Sequence, residues 1–242
     1  MNSARPPSLS TRLHDDLRRL IESTPPGERL LSEPYLAKQL GVSRATLREA
    51  MRTFETSGLI HRKQGVGTFV AQPPSIIASG LEVLESIHTL AARMGMVVSM
   101  GDYEINQRPP TDQEAAKLDM GKSKNVVQVS WVMLADDRPV AYLVDTLPED
   151  VLNPERLKRE FNGSVLDLMV KSGELALTTS KTSINAVAAN SEIAKALGIQ
   201  KRDVLLHFEA QLFTQEGRAI DYSYSYYLPG YFNFHVVRRV GK

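Results

Sequence analysis

The chain has no cysteine among its 242 residues. That excludes disulfides, thiolate metal sites and cysteine nucleophiles, and it fits a reducing compartment. No apolar run approaches the ~18 residues that a spanning helix needs. The opening Met1-Asn2-Ser3-Ala4-Arg5-Pro6-Pro7 lacks the apolar stretch of a signal peptide, so the cytoplasm is the expected location. Also missing are a Gly-x-Ser-x-Gly elbow, a His-Glu-x-x-His helix and a phosphate-cradling loop. The histidines His14, His61, His88, His207 and His235 are scattered without ligand spacing, so neither metal nor cofactor is expected. Adjacent carboxylates occur at Asp136-Asp137 and Glu149-Asp150, in turn-like sequence, and read as solvated surface. No catalytic constellation remains, and an enzyme is not expected.

What is present is an asymmetry. The net charge is +1, but residues 1–72 hold 11 basic and 7 acidic residues, for +4, against 18 and 21 in the remainder, for −3. A basic block on a slightly acidic body points to a polyanion partner for the first part only. The composition breaks at Ala71-Gln72-Pro73-Pro74-Ser75, where two prolines stop regular structure. The expected organisation is a first domain over 1–71, a linker over 72–79 and a second domain over 80–242.

Before the break the pattern is helical. Ser10 is placed to cap a helix to about Ser23, with Leu13, Leu17, Leu20 and Ile21 on one face. Ser32 opens a second helix through Leu40, with Pro34 tolerated in its first turn. Ser43 caps a third through about Ser57, and Leu59 to Val70 reads as two strands around Gln64-Gly65-Val66-Gly67. The run Leu36 to Ala50 is thus a helix, a glycine turn at Gly41 and a second helix. That second helix begins with Ser43, Arg44 and Thr46, the end that a helix-turn-helix points at base edges. Arg44 and Arg48 share one exposed face. His61 to Thr68 forms a basic hairpin with two glycines, suited to close approach to a nucleic-acid backbone.

The motifs Gly27-Glu28-Arg29-Leu30-Leu31-Ser32-Glu33, Leu36-Ala37, Leu40-Gly41-Val42-Ser43-Arg44, Arg48-Glu49-Ala50, Gly58-Leu59-Ile60 and Gly65-Val66-Gly67-Thr68-Phe69-Val70 resemble the DNA-binding domain of GntR-family bacterial regulators. The resemblance implies a winged helix-turn-helix that binds a short palindrome as a dimer. It implies base or phosphate contacts at Arg44, Thr46, Arg48, Gln64 and Gly65, and the same surface takes in Ser43, Lys63, Gly67 and Thr68. The family usually carries arginine after the Ser-Glu pair and uses it on DNA; Pro34 stands there instead, so that contact is missing.

After the break, a helix is expected over about 80–94. Strands follow near 96–107, 124–136, 138–147, 175–188, 203–215, 218–228 and 232–240, with short helices at 111–118, 153–160, 164–171 and 191–197. Hairpin-linked strands with helices packed on them make an α+β domain built on an antiparallel sheet. Pro139-Val140-Ala141, Asp145-Thr146-Leu147-Pro148, Gly163-Ser164-Val165-Leu166, Ala194-x-x-Leu197-Gly198 and Tyr226 to Phe234 resemble the HutC-like branch, whose UTRA domain has a chorismate-lyase-like fold. This resemblance implies a small-molecule effector in a cleft, at the positions of Asp145, Ser164 and the strand Ser223 to Tyr227, including Tyr224 and Ser225. Sugar-phosphate sensors of this branch carry arginine on the strand where Trp131 is placed. Its absence argues against a phosphosugar, since an anion needs guanidinium forks. Trp131, Tyr222, Tyr224 and Tyr226 suit an aromatic or less charged ligand. Tyrosines two apart on a strand share a face, which serves equally as core or subunit contact.

The expected function is a sequence-specific transcription regulator, a dimeric repressor of a palindromic operator whose affinity an effector alters. Its rivals are a constitutive repressor whose second domain only dimerises, an enzyme fused to a DNA-binding domain, and a general nucleoid-binding protein.

Overall fold

A computed structural model describes residues 9–63, 65–71, 77–121 and 123–238. These residues form two compact units, one of the residues up to Ala71 together with Pro229–Tyr231, the other of Ile77–Leu228 and the residues from Phe232 on. Residues 72–76 of the expected linker lie outside the described residues.

The first unit opens with α1 (Leu9–Ser23), α2 (Glu33–Gln39) and α3 (Arg44–Thr56), followed by the hairpin of β1 (Ile60–Lys63) and β2 (Gly67–Val70). Leu13, Leu17 and Ile21 of α1 recur at helical spacing and are buried against Leu36, Leu47, Met51, Phe54, Ile60 and Val70. Thr24 ends α1 by donating its hydroxyl to the Leu20 carbonyl. Gly41 carries φ of +66° between α2 and α3, a left-handed turn open to glycine at no steric cost. The Val42 amide then bonds the Ala37 carbonyl, folding α3 back across α2. Ser43 caps α3 by accepting from the Thr46 amide at 3.0 Å. Ser32 occupies the equivalent position before α2, yet its side chain makes no capping bond.

The second unit begins with β3 (Ile77–Gly80) and α4 (Ile87–Arg93). Its main elements continue with β4 (Val98–Arg108), α5 (Asp112–Lys117), β5 (Val126–Ala135), β6 (Arg138–Pro148), α6 (Pro154–Glu160), α7 (Val165–Ser172), β7 (Leu177–Ala188) and α8 (Ser191–Ala196). It closes with β8 (Val204–Thr214), β9 (Ala219–Tyr227) and β10 (Phe232–His235). Six strands form one antiparallel sheet in the order β4-β5-β6-β9-β8-β7. Thr111 and Glu114 form the capping box that their spacing predicts for α5. Asp136 and Asp137, both at positive φ, make the tight turn between β5 and β6.

Two sequence expectations are corrected in this unit. The helix expected over 80–94 is confined to Ile87–Arg93, because Ser86 caps it by accepting from the Thr89 amide. The apolar residues before that cap, Leu81, Val83 and Leu84, are exposed and have no core to bury them in a longer helix. Residues Ile77 to Gly80, assigned to the linker and helix start, form β3, which pairs in parallel with β10.

Helices cover both faces of the sheet. On one face lie α5 and α8: Gln113 of α5 donates to the Tyr222 hydroxyl at 2.7 Å, and Lys117 pairs with Glu209 at 2.9 Å. The other face meets the α4 start and α7, and these two covers are tied by Ser86, whose hydroxyl donates to the Asp167 carboxylate.

Candidate functional site

The first unit presents a polar helix end and a hairpin. Ser43, Arg44 and Thr46 are exposed at the start of α3. The Ser43 and Thr46 hydroxyls lie 2.8 Å apart, so one is held by the other. Arg44 is exposed and has no side-chain partner among the described residues. Arg48, one turn on, is different: its guanidinium is ion-paired with Glu33 at the start of α2. The same carboxylate lies 3.8 Å from the Arg62 guanidinium, which also faces Glu55 at 3.5 Å and the Arg48 carbonyl. The helix end therefore offers one free and one engaged arginine beside unpaired amide groups and the positive dipole end, a combination that attracts phosphate.

In the hairpin, Lys63 is exposed and its ammonium sits 5.5 Å from the Phe69 ring centre. Gly65 is exposed at φ +72°. Gln64 lies outside the described residues. Thr68 requires a correction: it is 6% exposed, because alternate residues of β2 turn inward and Thr68 falls on the inner face with Val70. Gly67 has φ of +144°, and a Cβ there would meet the Arg29 guanidinium. Gly67→Ala is expected to destabilise this unit by about 1–3 kcal/mol through backbone strain. Thermal unfolding would read this as a lowered first transition, and an unchanged transition would show that the hairpin relaxes freely.

The second unit holds a cavity of about 150 Å³ between the sheet and the α4–α7 cover. Its lining includes Trp131 and Met133 of β5, Leu143 and Asp145 of β6, Phe208 of β8, Ser223, Ser225 and Tyr227 of β9, and Ser164 with Met169 from the α7 region. Five of the six expected effector positions, Trp131, Asp145, Ser164, Ser223 and Ser225, are thus gathered around one space. Tyr224 is not: with Tyr222 and Tyr226 it projects from the opposite face of β9, since side chains alternate along a strand. There the Tyr224 hydroxyl donates to that of Tyr222 at 2.6 Å, and Tyr222 donates to Glu209 at 2.8 Å. Tyr226 stacks on His207 at 4.6 Å. The tyrosine stripe is a packed polar layer beneath α5, and Ser164 doubles as the cap of α7, accepting from the Asp167 amide at 3.0 Å.

Sequence reading missed Asp221. It lines the cavity with Asp145 and is 5% exposed. Burial, then the neighbouring Asp221 charge, push the Asp145 carboxyl well above the usual range. Burial pushes Asp221 up to about 7, although Ser223 and the backbone at Thr146 and Tyr222 favour its ionised form. The available signal was register: Asp145 faces Ser223 across the β6–β9 ladder, and Asp221 lies two residues from Ser223 on the same strand face. Trp131 Nε1 and Asp221 Oδ1 are buried and have no hydrogen-bond partner among the described residues.

A winged helix-turn-helix on one unit and a ligand-sized cavity in the other define a one-chain DNA-binding regulator. Residues 9–70 match the bacterial regulatory proteins of the gntR family, and residues 93–233 match the UTRA domain. The chain belongs to the GntR family, in the HutC-like branch that carries a UTRA domain, and is a DNA-binding transcription regulator. It is 27% identical over 229 residues to the HTH-type transcriptional repressor NagR of Bacillus subtilis, covering 94% of this chain and 93% of that one. It is 29% identical over 184 residues to the histidine utilization repressor of Pseudomonas putida, covering 76% and 73%. The crystal structure of PhnF from Mycobacterium smegmatis superposes with a TM-score of 0.62 at 22% identity, over 95% of this chain and all of that one, and shares its fold. Among the described residues, no helix is long and apolar enough to cross a membrane.

Proposed function

We propose that two copies of this chain bind a palindromic operator in the bacterial cytoplasm and repress transcription there until a small molecule occupies the cavity of the second unit. The observation that carries this reading is the polar start of α3, capped by Ser43, with Arg44 and Thr46 exposed beside the basic hairpin. Each α3 enters a major groove, and the two grooves lie about 34–36 Å apart along the duplex. Ser43, Arg44, Thr46 and Arg48 meet bases or phosphates, and Lys63, Gln64, Gly65 and Gly67 follow the backbone. The two repressors to which the chain is similar support repression as the output.

The effector acts by binding one arrangement of the dimer more tightly than the other, since only a difference in affinity shifts an equilibrium. A purely constitutive repressor has no use for a cavity between sheet and helices with two carboxyls among its lining residues, and this favours the ligand-responsive reading. The test is enrichment from a randomised duplex pool at fixed salt, followed by titration of the winning site. A two-fold-symmetric site whose affinity falls at least ten-fold with one of a set of metabolites supports the proposal. Binding that follows salt alone, with no preferred sequence, would mark a general nucleoid protein instead. A preferred site that no compound weakens would leave the constitutive repressor.

A further inference from the structure

The cavity of the second unit holds two carboxyls and no cation to answer them. Asp145 and Asp221 project from adjacent strands onto one floor, and each is set among apolar walls that include Trp131, Phe208 and Met169. No lysine or arginine lines the cavity among the described residues; its other ionisable groups are His88 from the α4 side and Tyr227 on β9. Asp221 Oδ1 and Trp131 Nε1, of two residues that line the cavity, are buried without hydrogen-bond partners among the described residues. Buried polar atoms are nearly always satisfied in a folded domain, so an unmatched carboxyl oxygen beside a second carboxyl marks a site short of a donor.

We infer that the cavity binds a small organic cation with a flat apolar body, whose N–H groups meet Asp145 and Asp221 and whose ring lies among Trp131, Phe208 and Met169. This rests on the proposal that the cavity is the effector site and adds the chemical class. An anion would enter beside two carboxyls and find no guanidinium or ammonium fork among the described residues. A neutral body would fill the apolar walls but leave the carboxyl pair to share a proton. A cation favours the fully ionised pair and gains a charge-assisted hydrogen bond in a region of low dielectric. The volume sets the size: a cavity of about 150 Å³ holds a single aromatic ring such as benzene.

Occupancy by a cation should release a proton from the pair. Its affinity should therefore rise with pH across the range where Asp221 ionises, near 7. His88 lines the same space, so His88→Gln serves as the control: the pH effect should survive it.

The experiment uses the full chain and three probes of one shape, benzylamine, benzyl alcohol and benzoate, measured by calorimetry and thermal shift at pH 8. Benzylamine is expected to bind at least ten-fold more tightly than benzyl alcohol, with benzoate weakest. Asp221→Asn and Asp145→Asn should each cost benzylamine ten-fold or more and change benzyl alcohol less than two-fold. Failure of benzylamine to bind, equal or tighter binding of either other probe, or indifference of benzylamine to both substitutions overturns the inference. If a neutral or anionic compound then weakens operator binding, the effector reading stands and only the charge class is wrong. If no compound of any charge does so, the effector reading falls as well.

Discussion

Arg44→Ala should weaken binding to the preferred operator by about ten-fold or more per recognition helix and flatten discrimination at one base position in each half-site. A guanidinium that pairs with guanine O6 and N7 supplies roughly 1–3 kcal/mol of discrimination, and 1.4 kcal/mol is a factor of ten. Arg44 is the residue to test first because it is exposed and has no side-chain partner among the described residues. Arg48→Ala is a less clean experiment, since it also strands the Glu33 carboxylate. The measurement is a competition titration against the enriched site, against single-base variants of it and against random duplex. A loss of equal size on every duplex, with a salt slope smaller by about one, would reassign Arg44 to a phosphate contact. No loss at all would remove α3 from the groove.

Asp221→Asn should raise the stability of the second unit at pH 8 and remove much of its decline with rising pH. In the unfolded chain this carboxyl titrates near 3.8, whereas in the folded domain burial lifts it to about 7. Between those values the folded state holds a proton that the unfolded state has released. Stability therefore falls as pH rises through that window, by up to about 1.4 kcal/mol per pH unit for each proton, and levels off above it. Asp145 is shifted in the same direction. Glu114 is the opposite case. Burial pushes it up, but the bonds from Arg108 and Thr111 prevail and hold it below its usual range, so its contribution is lost only in acid. The check is a set of melting temperatures for both proteins at pH 5, 6, 7 and 8. The variant's advantage should grow towards pH 8; a constant or shrinking difference would show that the pair is not protonated when the cavity is empty.

Much of this architecture was legible because its signals are local. Apolar spacing marked α1 through Leu13, Leu17 and Ile21, the Ser43 cap fixed the start of α3, and the Thr111–Glu114 box opened α5. What escaped was set by distant contacts. Nothing near Ile77 announces that its partner is Phe232, so β3 was read as linker and helix. The side of β9 that faces the cavity was hidden for another reason. Helices cover both faces of the sheet, so Tyr222 and Asp221 are both buried and the usual alternation of apolar and polar residues is blurred. Asp221 was overlooked on that strand, although it shares a face with Ser223. Thr68 was misplaced because a glycine-rich hairpin suggests exposure for all its residues, while β2 turns every second one inward.

The Glu33 carboxylate between Arg48 and Arg62 has a consequence for how the protein searches a chromosome. A genome offers on the order of a million or more irrelevant sites, each presenting only phosphates. On the proposed contacts, Arg48 would give up an existing partner before meeting any of them, so a lone phosphate would return little net free energy for that exchange. A cognate sequence would add the proposed contacts at Arg44 and Thr46 that make the exchange worthwhile. The carboxylate would then act as an internal competitor, shortening idle residence on the wrong sequence more than it weakens the stay on the right one.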